Sequence, residues 1–536
     1  MKKVHLLLLS ALSGVLFTIG WPMNGFPAFL FTAFIPLLII EQYIAEHRSE
    51  FSKFSVFFYT YPAFFIWNFA TTYWVWNSTP AAAFAWLLNS MFMSIVMNVF
   101  HVARKNVYGK HQGYFLLVFL WITFEFIHLN WKLTWTWLNL GNGFSMYTGW
   151  VQWYEFTGAM GGTIWILSVN ILIFKLLYGY LFLKNRQSIW VGAMLPLAIL
   201  LLPILASYIL YYNYEEVKNP VNVVVTQPNV DPYSEQYTLP PAEVIRRNMD
   251  LAEKKMDPAT LFVVAPESAL QEDLWEDNLN WSSSLSLLQQ YLEEKSDIHI
   301  VIGASTYRRL KDGEKVTGSA RYHEAGKFYY DRYNTAFLVD TSETYPRHHK
   351  SKLTPGVEYM PSWGPLSFLE NMAIDLGGTV GSLATDKDQI PFVVRDTIIV
   401  APLICYESVY GEFCGKFVNN GANLLFIITN DGWWGNTPGH KQHFSMARLR
   451  AIELRRSIAR SANTGISCFI DQRGDVYQVT EYWVPDVIRQ DLNLNNELTF
   501  YARMGDYIGR ISAFLSVVFI LLSIVFSIRK KKGLNL

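Results

Sequence analysis

Long apolar runs constrain this chain more than any other feature of its sequence. Six runs are long enough to cross the hydrocarbon of a bilayer, and they cover residues 4–21, 54–76, 81–102, 162–182, 190–213 and 511–528. Two weaker runs, at 27–45 and 114–127, contain Glu41 and Glu125. About 20 helical residues span a bilayer core, and a backbone in lipid must satisfy its own hydrogen bonds. The sequence therefore predicts an α-helical membrane bundle of eight transmembrane helices.

The composition fits a membrane protein that also carries a large polar part. Hydrophobic residues make up 51% of the 536 positions, charged residues make up 16%, and the formal net charge is zero. Such a chain is too apolar for an ordinary soluble protein, and its basic residues form no stripe typical of nucleic-acid binding. The predicted organisation is a seven-helix part at 1–213, a polar domain at 219–504, an eighth span at 508–530 and a basic tail at 531–536.

The loops between the predicted spans alternate in charge, and this alternation predicts orientation. Basic residues occupy both termini and every second loop: Lys2, Lys3, Arg48, Lys53, Arg104, Lys105, Lys110, Lys184, Arg186 and residues 529–532. The intervening loops carry only Lys132. The positive-inside rule then places both termini in the cytoplasm and the polar domain outside. We expect the first helix to be uncleaved, because no small-residue cleavage site follows it.

Residues 219–504 have the pattern of an α/β domain. Apolar strands are predicted at 221–226, 261–265, 298–304 and 424–429, and they alternate with amphipathic helices at 241–255, 282–295 and 443–456. This alternation favours a layered fold in which helices cover the faces of a sheet. Three cysteines, at 405, 414 and 468, are too few for a disulfide framework in an outward-facing domain. A thiol kept there is expected to have a chemical task.

Three polar residues of this domain are candidates for catalysis. Cys405 ends the apolar run 397–405 in Ile-Cys-Tyr-Glu, where a rigid strand would hold a nucleophile. Glu267 follows another strand in Pro-Glu-Ser, and burial favours protonation of an unpartnered carboxylate, which suits a general base. Lys350 lies in a basic cluster that runs into a Pro-Gly turn. Taken singly, each also fits a structural interpretation: a small core residue, a turn residue and a solvated loop.

Together these motifs resemble the nitrilase superfamily, in which Glu, Lys and Cys follow one another along the chain. The matching residues are Glu267, Lys350 in His-Lys-Ser-Lys-Leu-Thr-Pro, and Cys405, and residues 429–435 resemble the loop after the nucleophile. With seven spans before the domain and one after it, the chain resembles the apolipoprotein N-acyltransferase family over essentially its whole length. The sequence departs from the usual pattern of this family at two places. The turn after Lys350 reads Pro-Gly-Val-Glu where the family commonly has Pro-Phe-Gly-Glu, and Ala265 stands where the family frequently has Trp.

The resemblance implies an α-β-β-α sandwich for the polar domain and acyl transfer through a thioester on Cys405. Glu267 would act as the base, and Lys350 with the backbone N–H of Tyr406 would stabilise the oxyanion. A phospholipid would donate the acyl chain, and the α-amine of a diacylglyceryl apolipoprotein would accept it. The resemblance further implies a bacterial inner-membrane location and a functional monomer, with no cofactor, metal or nucleic acid.

Further residues are predicted to serve this site. Glu358 and Glu407 are expected to orient Lys350 or handle protons, with a structural salt bridge to Lys350 or Lys352 as the alternative. The apolar stretch 358–378 and the Trp pair at 433–434 are expected to contact lipid, or else to pack on the transmembrane helices. The substrate and lipid-contact candidates are Tyr359, Trp363, Trp433, Trp434 and Glu125.

Ionisable residues within the spans receive a separate interpretation. Glu41 and Lys175 lie toward the cytoplasmic ends of their spans and are expected to snorkel toward water. Glu125 lies near the outer end of its span. It could meet a substrate headgroup, but structural support is the favoured role.

Two other functions fit parts of the sequence. A membrane-tethered nitrilase-type amidase would keep the Glu, Lys and Cys residues, but a single anchor would be enough for it. A transporter with an attached sensing domain would explain the spans, but no pair of Gly- or Pro-broken helices in matching halves is visible. The identity of the acyl acceptor distinguishes the transferase from the amidase, because the amidase uses only water.

Overall fold

The computed structural model describes residues 1–23, 25–78, 80, 82–109, 111–181, 189–342, 344–359 and 382–532. The chain forms two compact units. The helical unit comprises Met1–Tyr73, Ala82–Asn213 and Met504–Leu536, and the sheet unit comprises Trp74–Ala81 and Tyr214–Arg503. Trp74–Ala81 therefore packs with the sheet unit, although it lies far from the rest of that unit in sequence.

The α-helices of the two units differ in residue pattern. In chain order they are α1 (Lys3–Gly20), α2 (Leu30–Ala33), α3 (Ile35–Glu46), α4 (Ser55–Thr72), α5 (Ala82–Tyr108), α6 (Leu116–Asn130), α7 (Tyr154–Thr157), α8 (Ala159–Leu181), α9 (Ile189–Asn213), α10 (Pro241–Glu253), α11 (Ser283–Glu293), α12 (Gly411–Asn419), α13 (Pro438–Leu454), α14 (Phe500–Met504) and α15 (Tyr507–Lys531). The long helices of the helical unit are apolar over most of their circumference. Helices α10 and α11 are amphipathic and bury one face.

Six stretches of the described residues are long and apolar enough to cross a membrane. They are Lys3–Gly20, Pro27–Glu46, Ala83–Tyr108, Ala159–Leu181, Gly192–Asn213 and Tyr507–Lys530. Helix α6 is apolar but has only 15 residues, and α4 is rich in less hydrophobic aromatic residues. The run predicted at 54–76 is helical only to Thr72, because residues 73–77 form a 3-10 helix. The membrane character is thus established, while the eight-span count stays a prediction.

Glu41 corrects one expectation. Its carboxylate is fully buried in α3, and both oxygens lie 2.8 Å from Arg104 Nη2 of α5. His101 Nδ1 lies 2.6 Å from Oε1. Glu41 therefore does not snorkel, because an ion pair within the helical unit supplies the partner that a buried charge needs. Lys175 is exposed, as expected.

Glu125 is buried in α6, and its carboxylate has several partners. It accepts hydrogen bonds from the backbone N–H of Leu140 at 2.7 Å, from Thr163 Oγ1 at 2.7 Å and from Trp121 Nε1 at 3.2 Å. These bonds connect α6 to the 3-10 segment Leu140–Phe144 and to α8. They make Glu125 a support of this segment, and contact with a substrate headgroup stays a prediction.

The sheet unit contains two sheets. Its described strands are β1 (Pro220–Gln227), β2 (Thr260–Val264), β3 (Leu270–Trp275), β4 (His299–Arg309), β5 (Arg321–His323), β6 (Phe328–Val339), β7 (Arg347–His349), β8 (Phe392–Val394), β9 (Ile398–Ile404), β10 (Leu424–Thr429), β11 (Ile458–Ala462), β12 (Cys468–Ile470), β13 (Val476–Tyr477) and β14 (Asp486–Asn493). The first sheet has the order β14-β1-β2-β4-β6-β5, with β3 on β4 and β7 on β6. The second has the order β13-β12-β11-β10-β9-β8.

Side-chain alternation along the strands decides how the layers stack. Val223 and Val225 of β1 share a core with Phe426 and Ile428 of β10, so this core lies between the two sheets. Val224 points the other way, into a second core built with α10 and α11. Helix α12 contacts β9 of the second sheet and α13. The unit is therefore a layered α/β fold, as the residue pattern predicted, and it has the α-β-β-α order that the family resemblance implied.

Candidate active site

The three predicted catalytic residues all follow strands of the sandwich. Glu267 comes shortly after β2, Lys350 directly after β7 and Cys405 directly after β9. Cys405 adopts a left-handed backbone conformation with φ of 49°, which is uncommon for a residue with a side chain. Such strained positions recur at functional sites, where the surrounding structure holds them.

Lys350 lies between two carboxylates. Its Nζ atom donates to Glu267 Oε1 at 3.1 Å and to Glu358 Oε1 at 2.9 Å. The Nδ2 group of Asn334 donates to the same two oxygens, at 2.7 and 3.0 Å. The other Glu267 oxygen accepts from the backbone N–H of Asn430 at 3.0 Å. Among the described residues, this network fixes both carboxylates and the ammonium in one arrangement.

The backbone of Glu267 needs a glycine beside it. A Cβ atom added to Gly303 of β4 would lie only 2.6 Å from the Cα of Glu267. Because real Cβ atoms do not approach another carbon that closely, any other residue at 303 would displace Glu267. Gly303 therefore helps to define the position of the predicted base.

The protonation states in the site follow from burial and charge together. Burial favours the neutral form of Lys350, but the negative charges that Cys405, Glu267 and Glu358 carry when ionised outweigh it and raise the lysine pKa. Burial likewise opposes ionisation of Glu358, yet Lys350 holds the pKa of this carboxyl below its usual value. Lys350 is thus an ammonium and Glu358 a carboxylate at neutral pH.

Cys405 is partly exposed and packs against the core between the sheets. Burial, followed by the charge of Glu267, raises the pKa of its thiol, and nearby Lys350 opposes this only in part. The resting residue is therefore a thiol, which requires a base to become a nucleophile. Cys414 and Cys468 are free and buried.

Glu407 contacts the chain on both sides of Lys350, and its role as an orienting acid stays a prediction. Its carboxylate accepts hydrogen bonds from the backbone N–H groups of Ser351 at 2.6 Å and Ile404 at 2.8 Å. His348 Nε2 lies 3.1 Å from both of its oxygens. Glu407 thus connects His348 and Ser351, before and after Lys350 in the chain, to the end of β9. The other predicted supporting acid, Glu358, contacts the Lys350 ammonium directly.

The predicted oxyanion donor and lipid-contact residues have different surroundings. Tyr406 is buried, and its backbone N–H belongs to the peptide group directly after Cys405. Tyr359 is partly exposed and forms a single β-bridge with Pro355. Trp363 and most of the stretch 358–378 lie outside the described residues.

The Trp pair at 433–434 packs within the sheet unit. The Trp433 ring lies 5.5 Å from Tyr233. The Trp434 ring lies 4.8 Å from Trp74 and 5.7 Å from His443. Both Trp residues are partly exposed, so contact with lipid stays a prediction.

Sequence reasoning gave no catalytic or binding role to several polar residues that the fold brings to the site. The first is Asn334, in the middle of β6 and 67 positions from the carboxylate it binds. The others, just after β10, in α13 and in the middle of β11, are Asn430, Asp431, His443 and Arg460. The Asn-Asp-Gly turn after β10 was a usable signal, because polar residues at a strand end often line a site. Asn334 had no such signal.

A comparison with family models identifies the class of protein to which this chain belongs. Residues 214–497, more than half of the chain, match the family model described as carbon-nitrogen hydrolase, and the chain belongs to this family. Residues 13–172 match the model described as the apolipoprotein N-acyltransferase N-terminal domain. The chain thus combines a carbon-nitrogen hydrolase domain with an amino-terminal part that is similar to that of apolipoprotein N-acyltransferases.

Individual relatives agree with the second match. A protein of Chlorobaculum tepidum named apolipoprotein N-acyltransferase is 26% identical, over 98% of this chain and 97% of the relative. One of Geobacter metallireducens with the same name is 26% identical, over 93% and 91%. Among solved structures, Nit3 of Saccharomyces cerevisiae is 15% identical, with a TM-score of 0.37 over 52% of this chain and 92% of Nit3.

Proposed function

We propose that this chain is an apolipoprotein N-acyltransferase. It moves a fatty acyl chain from a membrane phospholipid to the α-amine of the lipid-modified amino-terminal cysteine of apolipoproteins. The arrangement of Glu267, Lys350 and Cys405 at the strand ends of a carbon–nitrogen hydrolase domain carries this proposal. Apolar helices in the same chain, and relatives of that name over nearly its full length, support a lipid donor.

The first half-reaction forms a thioester. Glu267 takes the proton of the Cys405 thiol, and the sulfur attacks the ester carbonyl carbon of the phospholipid. Lys350 uses two of its three N–H donors on Glu267 and Glu358, and we assign the third, together with the N–H of Tyr406, to the developing oxyanion. The tetrahedral intermediate then expels the lysophospholipid oxygen, which receives the proton from Glu267.

The second half-reaction transfers the acyl group to nitrogen. The acceptor α-amine attacks the thioester carbonyl, and Glu267 takes a proton from this amine. The intermediate collapses by breaking the carbon–sulfur bond, which leaves an amide on the acceptor. The proton held by Glu267 returns to the Cys405 sulfur, and the free thiol is restored. A thioester suits this exchange because thiolate is a better leaving group than alkoxide.

The proposed membrane arrangement has eight spans, with α4 and α6 added to the six candidate helices. Both termini are cytoplasmic, and the catalytic domain at 219–504 lies on the periplasmic side of a bacterial inner membrane. The lipid donor reaches the site past Tyr359, Trp363, Trp433 and Trp434. A monomer contains all the catalytic residues named here.

Radiolabelled phospholipid tests the proposal directly. Purified protein mixed with donor labelled in its acyl chain should accumulate label on Cys405, and a diacylglyceryl peptide should then remove it. The variants Cys405→Ala and Cys405→Ser should abolish both steps, because each lacks the thiol. The matched control is Cys414→Ala, which removes another buried thiol of the same unit and should keep both steps.

The acceptor distinguishes the alternatives. Release of label only to water would replace the transferase with a membrane-tethered amidase or esterase. Full turnover by Cys405→Ala would exclude the thioester mechanism altogether. A chain that neither binds label nor modifies the peptide would favour the transporter interpretation.

A further inference from the structure

A buried array of charged side chains lies behind Cys405, and the mechanism above does not use it. Arg460 Nη2 donates to Asp431 Oδ2 at 2.6 Å, and His443 Nδ1 lies 2.9 Å from Asp431 Oδ1. All three side chains are fully buried. Burial opposes ionisation of Asp431, but Arg460 and His443 outweigh it and hold the pKa of this carboxyl well below its usual value. The array is therefore built around a carboxylate.

The other ring nitrogen of His443 faces the nucleophile residue. His443 Nε2 lies 3.0 Å from the carbonyl oxygen of Cys405, which also accepts a hydrogen bond from Ser408 Oγ at 2.8 Å. A carbonyl oxygen can only accept, so the contact is favourable when Nε2 carries a hydrogen. With that hydrogen, Nε2–H donates to this carbonyl, and Ser408 Oγ lies 3.1 Å from the same nitrogen.

The Cys405 carbonyl and the Tyr406 N–H belong to the same peptide group. A hydrogen bond to the carbonyl polarises that group and strengthens its N–H as a donor. The bond also fixes the orientation of the peptide, which follows a residue with φ of 49°. We propose that His443, held by Asp431 and Arg460, is a positioning residue that orients and polarises the 405–406 peptide for oxyanion stabilisation. This inference rests on the proposed function.

Two other roles for the array are weaker. Ligand atoms of Cys405, Asp431 and His443 lie within 4.8 Å of one another, a spacing that suits a metal ion. Arg460 is already paired with the Asp431 carboxylate, and a second cation beside this guanidinium would be repelled. Alternatively, His443 could act on the Cys405 sulfur by its charge alone. In that role a substitution at 443 would change the reactivity of the thiol, whereas the proposed role leaves it unchanged.

Two substitutions at 443 separate the ring nitrogens. The amide nitrogen of Asn occupies the place of Nδ1, and that of Gln occupies the place of Nε2. His443→Asn should therefore slow formation of the labelled acyl-enzyme by about 10- to 100-fold, the range for residues that support a site indirectly. His443→Gln should recover part of the lost rate. Alkylation of Cys405 by iodoacetamide should not change, because this displacement forms no oxyanion.

Controls and a second variant keep the test decisive. His440→Asn changes another buried histidine of α13, and it should acylate at the wild-type rate. Ser408→Ala removes the other hydrogen bond to the Cys405 carbonyl, so it should slow acylation but not alkylation. This variant tests the proposal independently if the 443 variants fail to fold. The melting temperature of each variant identifies such failures.

Three results would overturn the inference. The first is that folded His443→Asn forms the acyl-enzyme at the wild-type rate. The second is that His443→Asn slows acylation and alkylation to the same extent. The third applies if the 443 variants do not fold, and it is that Ser408→Ala forms the acyl-enzyme at the wild-type rate. A parallel fall would mean that His443 acts on the sulfur itself. These results are distinct from failure of the proposed function, which would appear as turnover by Cys405→Ala, as release of label only to water, or as a wild-type chain that takes up no label.

Discussion

At the scale of single residues, the site depends on charges that neutralise one another. Lys350 is buried, and a buried ammonium is stable only with carboxylate partners. Glu267 and Glu358 are these partners, and Asn334 of β6 donates hydrogen bonds to both carboxylates. Removing any one member leaves the others in a low-dielectric setting without their full set of partners.

Glu358→Gln tests this dependence. The substitution keeps the size of the side chain but removes its charge, so Lys350 loses one of its two carboxylate partners. We expect turnover to fall by about 10- to 100-fold, as for other residues that orient a catalytic group. Turnover with labelled phospholipid and a diacylglyceryl peptide is the measurement. The control Glu235→Gln removes a carboxylate that is paired with Arg247 at the surface, and it should leave turnover unchanged. Turnover of Glu358→Gln at the wild-type rate would contradict the orienting role.

At the scale of elements, His349 fixes the end of β7 directly before Lys350. Its Nε2 atom lies 2.6 Å from Glu276 Oε1, and its Nδ1 atom lies 2.7 Å from Asp386 Oδ2. Burial opposes the charged ring, but Asp386 and Glu276 outweigh burial and raise the pKa of His349. The same contacts hold the pKa values of Glu276 and Asp386 below their usual range. A charged histidine therefore connects β7 to two other segments of the sheet unit.

This connection predicts a pH dependence of stability. A raised histidine pKa contributes stability that is complete below the ordinary value of 6.5 and disappears as pH rises through the raised value. His349→Gln can still form hydrogen bonds but has no charge. The melting temperature of wild type should therefore exceed that of His349→Gln by most at a mildly acidic pH, at which Glu276 and Asp386 are still ionised. This difference should shrink as pH rises.

Thermal unfolding of the full chain in detergent, over a pH series that crosses 6.5, measures this difference. Asp386→Asn removes one of the two carboxylates and should produce a smaller change of the same sign. A difference that grows with rising pH would show that the ring is neutral in the folded protein.

At the scale of the whole molecule, an apolar helical unit and a polar sheet unit share one chain. The sheet unit contains the candidate site, whereas the helical unit holds its buried charges as paired groups such as Glu41 and Arg104. The proposed topology places the sheet unit outside the cytoplasm and leaves both termini inside. Acyl donor and lipid-modified acceptor then meet the site on the same side of the membrane.

Protease accessibility tests the topology. Residues 311–318, between β4 and β5, are exposed and include Lys311 and Lys315. Trypsin added to intact spheroplasts of an expressing bacterium should cleave there, because the loop faces outward, and inside-out vesicles should protect it. A cytoplasmic protein serves as the control for intact membranes. The reverse pattern would place the catalytic domain in the cytoplasm.

Local pattern was enough to predict most elements of the fold. The strand predicted at 424–429 is β10, and the helix predicted at 241–255 is α10 with a slightly earlier end. The helix predicted at 443–456 begins earlier, at Pro438, because Thr437 caps it and proline fits the first turn. Element type depends on the spacing of apolar residues within a short window, whereas element ends depend on caps and neighbours.

The sequence by itself determined the membrane character and the α/β class of the polar domain, and it predicted the three candidate residues Glu267, Lys350 and Cys405, because each depends on a motif or a local period. Tertiary structure alone decided the partners of these residues. Asn334 and His443 reach the site or its backbone from a distant strand and a distant helix, and sequence reasoning assigned neither residue a role there. The physical reason is that the strand order of two stacked sheets sets which strand ends meet, and this order depends on contacts between residues far apart in the chain.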